Sequence, residues 1–168
     1  MTHPVASGAT LDLAAVKREL VERARALGFD AVGVAGIDLP EDERHLLDWL
    51  AAGFHGEMGY MERHGVMRSR PQELAPGTVR VVSVRMNYWP ADAADAREVL
   101  ADGARAYVSR YAMGRDYHKV MRRALAKLAE ELRGKVGPFG YRVCVDSAPV
   151  LEKALARNAG LGWIGKHT

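Results

Sequence analysis

The chain has 168 residues, 48% hydrophobic and 27% charged, with a formal net charge of +3, which is enough for one domain with a real core and is the composition of a soluble globular protein. No apolar run approaches the ~18 residues that a membrane span needs, and Met1 to Thr10 lacks the basic-then-apolar order of a signal peptide. A single cysteine, Cys144, excludes an internal disulfide framework and a self-contained cysteine-ligated zinc or iron–sulfur site. The expectation is a cytoplasmic monomer without a membrane partner, with a flexible tail at 1–10 and one domain over 11–168. Charge is unevenly spread: residues 1–62 hold 5 Lys/Arg against 11 Asp/Glu, and residues 63–168 hold 19 against 10. The basic part suits a polyanion or a phosphate-bearing ligand, although solvated helix faces give similar imbalances.

From Asp12 to Leu27, apolar Leu13, Val16, Leu20, Ala24 and Leu27 fall at helical spacing and Gly28 ends the helix. Phe29 to Ile37 is β-branched and glycine-containing, which predicts a buried strand. A second helix begins after Leu39-Pro40 with Glu41, Asp42 and Glu43 in its first turn, where they complement the helix dipole. Its core face is Leu46, Leu47 and Leu50, and Gly53 stops it. Residues 54–76 lose periodicity and read as loops or short helices rich in Met, Arg and aromatic side chains.

Val79 to Asn87 predicts a second strand and residues 91–103 a surface connection, partly helical. Ala104 to Tyr111 alternates, which predicts a third strand. A long helix then runs to about Leu132, with Tyr117, Met121, Ala124, Leu125, Leu128 and Leu132 on one stripe. A Gly/Pro turn leads to a fourth strand at Tyr141–Val145. That strand delivers Asp146 to a helix over Val150–Asn158, with Ser147 as its N-cap and Pro149 in its first turn. The element order lacks a steady βαβ alternation, so the expected class is α+β, a mixed sheet flanked by helices.

Gly160-Leu-Gly-Trp-Ile-Gly165 spells G-x-G-x-x-G, but a helix precedes it where a dinucleotide-binding turn needs a strand. The same letters approach a P-loop, yet His167 stands where a magnesium-binding Ser or Thr belongs. Gly160 therefore reads as a helix C-cap. No histidine pair has the i, i+4 metal spacing. His118 stands beside Arg115, Asp116 and Tyr117, with a structural and a functional role both open. Arg68, Arg70, Arg105, Arg110 and Arg115 mix with Tyr60, Tyr107, Tyr111 and Tyr117, a combination that binds phosphates, bases or planar cofactors. A carboxylate such as Asp146 at a strand-to-helix junction either caps the helix or does chemistry.

Four longer strings together carry a resemblance. They are Tyr60-Met-Glu-Arg-His-Gly-Val-Met-Arg-Ser-Arg-Pro71, Arg80 to Tyr88, Ser109-Arg-Tyr-Ala-Met-Gly-Arg-Asp-Tyr-His-Lys119, and Val145-Asp-Ser-Ala-Pro-Val-Leu-Glu-Lys153 with Gly160 to His167. From about Leu11 onward the chain resembles the epoxyqueuosine reductase family, cobalamin-dependent iron–sulfur enzymes of the last step of queuosine synthesis in tRNA. The resemblance implies an α+β cobalamin-binding domain of nitroreductase-like or B12-processing shape. It also implies a partnership with the tRNA anticodon loop, and attack of reduced cobalamin on the epoxide followed by release of the alkene. It places the proton donor on Asp146, further cobalamin contacts on Arg70, Ser109, Arg110 and Tyr117, and substrate contacts on His118 and Lys153.

The family's two [4Fe–4S] clusters and its tRNA-gripping helical repeats lie on segments this chain lacks. It is therefore expected to be a truncated, cobalamin-binding part, inactive alone. Two other readings remain open: a cobalamin- or flavin-binding or processing module, and an RNA-binding domain. A donor role for Asp146 requires a raised pKa, which burial against an apolar corrin face would give and the nearby helix N-terminus opposes.

Overall fold

The computed structural model describes residues 11–89 and 92–166, so the expected tail at 1–10 lies outside the described residues. The first helix, α1 (Leu13–Ala26), starts at Asp12, whose carboxylate accepts from the Ala14 and Ala15 amides at 3.0 Å each, satisfying two of the orphan donors of a helix start. Gly28, at φ 90°, then turns the chain into β1 (Ala31–Ala35). Helix α2 (Pro40–Ala51) opens on Pro40 and the three acidic residues. Short helices α3 (Gly59–His64) and α4 (Pro71–Leu74) flank a 3₁₀ turn at Gly65–Arg68. Strand β2 (Val81–Arg85), α5 (Ala96–Ala101), a 3₁₀ turn at Arg110–Ala112, α6 (Tyr117–Val136) and α7 (Glu152–Asn158) complete the order.

Strands β1 and β2 pair antiparallel, with Val32 opposite Val84 and Gly33 opposite Ser83. Because side chains alternate across a strand, the register gives the sheet two distinct faces. Val32 and Val84 pack on one face against Leu20 and Ala24 of α1, Phe29, and Met121, Ala124, Leu125, Leu128 and Leu132 of α6. The other face meets α7, where Val81 packs on a cluster of Leu39, Ala154 and Leu155. The predicted apolar stripe of α6 is thus the core contact, except that its first member, Tyr117, turns to a different task.

The class is α+β, but the expected mixed sheet is a two-stranded antiparallel one. Ala104–Tyr111 forms no strand: its side chains are mostly exposed and it finds no ladder partner. Alternation alone does not supply that partner. Tyr141–Val145 also forms no ladder and is anchored through side chains instead. Tyr141 donates to Glu130 at 2.7 Å, Arg142 donates to the Leu74 carbonyl at 3.0 Å, and Val145 is buried. Nor does Ser147 cap a helix. Pro149 disfavours helical backbone at Ala148, so the chain bends through 146–150 and α7 begins at Glu152. The Leu151 amide donates to the Arg68 carbonyl at 2.8 Å. Gly160, at φ 78°, does end α7.

One glycine is required by proximity. A Cβ on Gly33 would overlap the Ala159 carbonyl oxygen and lie 2.9 Å from the Ala159 Cβ, so α7 lies against the bare backbone of β1. Gly33→Ala is expected to destabilise the fold by about 1–3 kcal/mol, read as a lowered urea midpoint. An unchanged midpoint would show the two elements to be less closely packed.

Candidate active site

The first turn of α6 faces the 146–150 bend. Asp116 caps α6, accepting from the His118 amide at 3.0 Å, and this sets Tyr117 and His118 side by side with rings stacked at 4.0 Å between centroids. Both reach the same atom. The Tyr117 hydroxyl donates to Asp146 Oδ2 at 2.7 Å, and His118 Nε2 lies 3.2 Å from that oxygen. No hydrogen bond to Asp146 Oδ1 is present among the described residues. Asp146 is the described non-glycine residue with positive φ, at 58°, left-handed backbone that aspartate tolerates better than most residues and that costs energy to maintain. The bend behind it is tied to α6 a second time, since Arg122 donates to the Ser147 hydroxyl at 2.9 Å.

The electrostatics separate these groups. The Tyr117 hydrogen bond, with help from His118, holds the Asp146 carboxyl below its ordinary value against an opposing desolvation. The same bond pushes the Tyr117 phenol up to about 12, so it remains a donor at neutral pH. Loss of hydration and the Asp146 charge push the Glu152 carboxyl upward. The chain's own side chains leave Asp146 59% exposed, and the helix that begins six positions later is not what lowers its carboxyl. Hydrogen bonding to the charged form decides the sign. Tyr117→Phe is therefore expected to move the Asp146 titration upward, followed by carboxyl carbon NMR; an unmoved titration would exclude the phenol as its main cause.

The remaining expected site residues scatter. Arg110 stacks at 3.8 Å over the Trp89 ring and donates to the Ala94 carbonyl at 2.7 Å, while its Nε is buried without a partner among the described residues. Ser109 is exposed and heads the 3₁₀ turn, its carbonyl accepting from Ala112 at 2.9 Å. That turn carries Tyr111, edge-on to Tyr117 at 6.1 Å. Lys153 is exposed on α7 and has no ion pair among the described residues.

Arg70 is held within the chain. Its guanidinium forks onto Glu43 at 2.7 and 2.9 Å and reaches Glu73 at 3.1 Å, and buried Ser69 donates to Glu43 at 2.6 Å. A bidentate pair with a buried hydroxyl beside it reads as a fastening of the 65–70 segment to α2, two residues from the carbonyl that receives Leu151. Sequence reasoning passed over Asp116, Glu152 and this clamp. An aspartate N-cap two residues before a histidine was the available signal for the first. For the clamp, no local pattern joins Glu43 to Arg70.

Among the described residues no helix is long and apolar enough to cross a membrane. The family model Epoxyqueuosine reductase QueG, DUF1730, matches residues 68–147. The chain is 65% identical over 145 residues to the epoxyqueuosine reductase of Xanthomonas campestris pv. campestris. The resemblance is to epoxyqueuosine reductase. That match takes in 86% of this chain and 41% of the relative, so the chain spans about two fifths of the length of the curated relatives it matches. A selenomethionine-labelled epoxyqueuosine reductase superposes at a TM-score of 0.73 with 25% identity, over 90% of this chain and 40% of that one. Another epoxyqueuosine reductase, crystallised with an epoxyqueuosine-modified tRNA-Tyr stem loop, has the same fold at a TM-score of 0.70 and 24% identity, over 90% and 40%.

The Glu43 clamp makes a pH prediction. Arg70 first, then Ser69, lower the Glu43 carboxyl from 4.5 to about 2. A depressed folded value gives stability that is present above 4.5 and is lost as pH falls toward 2. Glu43→Gln is expected to flatten that acid limb in a denaturation series. Parallel limbs in variant and wild type would remove Glu43 from the role.

Proposed function

We propose that this chain is the cobalamin-binding, proton-handling part of an enzyme that reduces epoxyqueuosine to queuosine in the tRNA anticodon. The observation that carries the reading is the Asp146 carboxyl, with Oδ2 bonded by Tyr117 and faced by His118 and Oδ1 left for a reactant. Opening an epoxide creates an alkoxide, and losing that oxygen requires a proton donor within reach. Family resemblance across the string that contains Asp146 supports giving it this task. The relative bound to a modified tRNA stem loop supports tRNA as the partner.

The surface around Asp146 fits cobalamin, a large ring with apolar faces and an amide rim. Tyr111 is 55% exposed and lies edge-on to Tyr117, so exposed aromatic surface adjoins the tyrosine that bonds the carboxyl. Arg110 Nε, buried and unpartnered, is a donor for an amide or phosphate oxygen, and with Ser109 and Tyr117 it would hold the cofactor. Bound cobalamin supplies the reducing nucleophile for the epoxide carbon. The chain's own residues do the rest: Asp146 gives the proton, Tyr117 and His118 orient it, and Lys153 with His118 faces the substrate. The [4Fe–4S] clusters do not fit this chain, since Cys144 is its sole cysteine. No step here runs through them.

Cob(II)alamin added to this chain is expected to change its absorption spectrum, and an unchanged spectrum would count against the cofactor site. In the full-length reductase, Asp146→Asn is expected to retain cobalamin and lose about 10²–10⁴-fold in reduction. Undiminished turnover would remove Asp146 from the donor role.

A further inference from the structure

Reducing an epoxide to an alkene consumes two electrons and two protons and releases the oxygen as water. One carboxyl carries one proton, so a donor at Asp146 must be reprotonated within each turnover, and its depressed pKa makes recharging the harder half of the task. The group placed to do it is His118, whose Nε2 faces Asp146 Oδ2 at 3.2 Å while its Nδ1 lies 3.1 Å from Asp116 Oδ1. A neutral imidazole has one N–H and cannot donate to both carboxylates. Which nitrogen keeps the proton is set by the bond that the other makes.

Asp116 is built to settle that choice. Its Oδ1 is anchored as the cap of α6, accepting from the His118 backbone amide at 3.0 Å, and its Oδ2 has Lys119 Nζ at 3.9 Å. The ring cannot swing away cheaply, being stacked on Tyr117 at 28° between planes. Asp146 Oδ2, by contrast, already receives the 2.7 Å bond from Tyr117. The charged or titratable groups facing His118 are thus Asp116, Tyr117 and Lys119 on α6 and Asp146 on the bend, with Tyr111 and Glu152 one contact further out.

We propose that Asp116 is a positioning residue that keeps the His118 proton on Nδ1 and so makes Nε2 the nitrogen that recharges Asp146. The inference rests on the reading of Asp146 as donor. The steps balance. Solvent protonates Nε2, which the 36% exposure of the His118 side chain permits. Nε2–H⁺ gives its proton to the Asp146 carboxylate at Oδ2, and a half-turn about the Cβ–Cγ bond carries it to the open side, where it passes to the substrate oxygen and leaves the carboxylate as it began. His118 returns to neutral with Nδ1–H still held by Asp116, and one solvent proton has reached the substrate.

The test is the nitrogen NMR of the His118 ring in this chain, assigned by the signal lost in His118→Gln and recorded where the ring is neutral. The expected result is a dominant Nδ1–H form in the wild type. In Asp116→Ser, which still caps α6 but is too short to hold the ring, the ratio is expected to fall at least severalfold toward that of free histidine. A wild-type ring carrying its proton on Nε2 overturns the proposal. So does an unchanged ratio in a Ser variant that keeps its helix content by circular dichroism. If that variant loses its helix, Asp116→Asn replaces it: the amide caps equally well but accepts more weakly than a carboxylate, and an unchanged ratio there overturns the proposal too.

In the cobalamin-loaded full-length enzyme, Asp116→Ser is expected to lower turnover about tenfold or more and to alter the pH–rate profile, with the cobalamin spectrum unchanged. An unaltered profile counts against the relay. A wild-type full-length protein without epoxyqueuosine reduction would instead sink the proposed function while leaving the tautomer result standing, so the two failures are distinguishable.

Discussion

The contact on which the rest of the site depends is the bond from the Tyr117 hydroxyl to Asp146 Oδ2, the oxygen that His118 Nε2 also faces. It joins the N-terminus of α6 to a bend that has no ladder hydrogen bonds of its own, and it keeps a non-glycine residue in left-handed backbone. It also decides the protonation state, because a carboxylate that accepts from a phenol is stabilised in its charged form. Geometry, strain and titration of the candidate acid therefore share one cause, and α6 is the element that imposes it. That helix is well suited to the task. Its apolar stripe is fixed in the larger core cluster, so its first turn is a rigid platform for the two side chains it presents.

The other side of the bend is secured by longer-range bonds. Leu151 donates to the Arg68 carbonyl, and the segment containing Arg68 is fastened to α2 by the Glu43–Ser69–Arg70 cluster. Arg157 of α7 forks onto Asp42 of α2 at 2.8 and 3.2 Å. Two neighbouring carboxylates in the first turn of α2 thus hold two separate pieces that flank Asp146. A run of three acidic residues that first reads as dipole compensation is also a tertiary anchor. Dipole compensation needs only their charge, whereas the anchor needs these individual positions.

Much of this was legible in the sequence where the signal was periodic and local. Helices α1, α2 and α6 and strands β1 and β2 follow from apolar spacing, caps and β-branched runs, and Gly160 stops its helix as its position implied. The failures share a physical origin. Ala104–Tyr111 alternates well but has no neighbouring strand to pair with, and Tyr141–Val145 satisfies itself through side chains and burial, so period alone overcounted the sheet. Ser147 was a good cap in the wrong place because Pro149 delays the helix. The string around Asp146 singles it out in the sequence, but its partners Tyr117 and His118 lie 29 and 28 positions away, and only the fold brings them to one oxygen. The ion pair of Arg70 was hidden for the same reason: Glu43 lies 27 positions away, and no local pattern joins the two.

The arrangement also changes what a donor at Asp146 requires. A carboxylic acid that works by burial alone holds its own proton, as a site sealed by apolar walls would allow. This carboxyl is exposed on one side and hydrogen-bonded in its charged form on the other, so its resting state is the base. The groups pushed the other way are its neighbours, Tyr117 toward about 12 and Glu152 above its usual range. Protons are thus kept around Asp146 more readily than on it. Covering the site with an apolar ring would desolvate Oδ1, the oxygen that lacks a partner, and leave the Oδ2 bonds in place. The cofactor and the α6 platform would then act on different oxygens of one carboxyl, the first raising its affinity for a proton and the second governing where that proton enters.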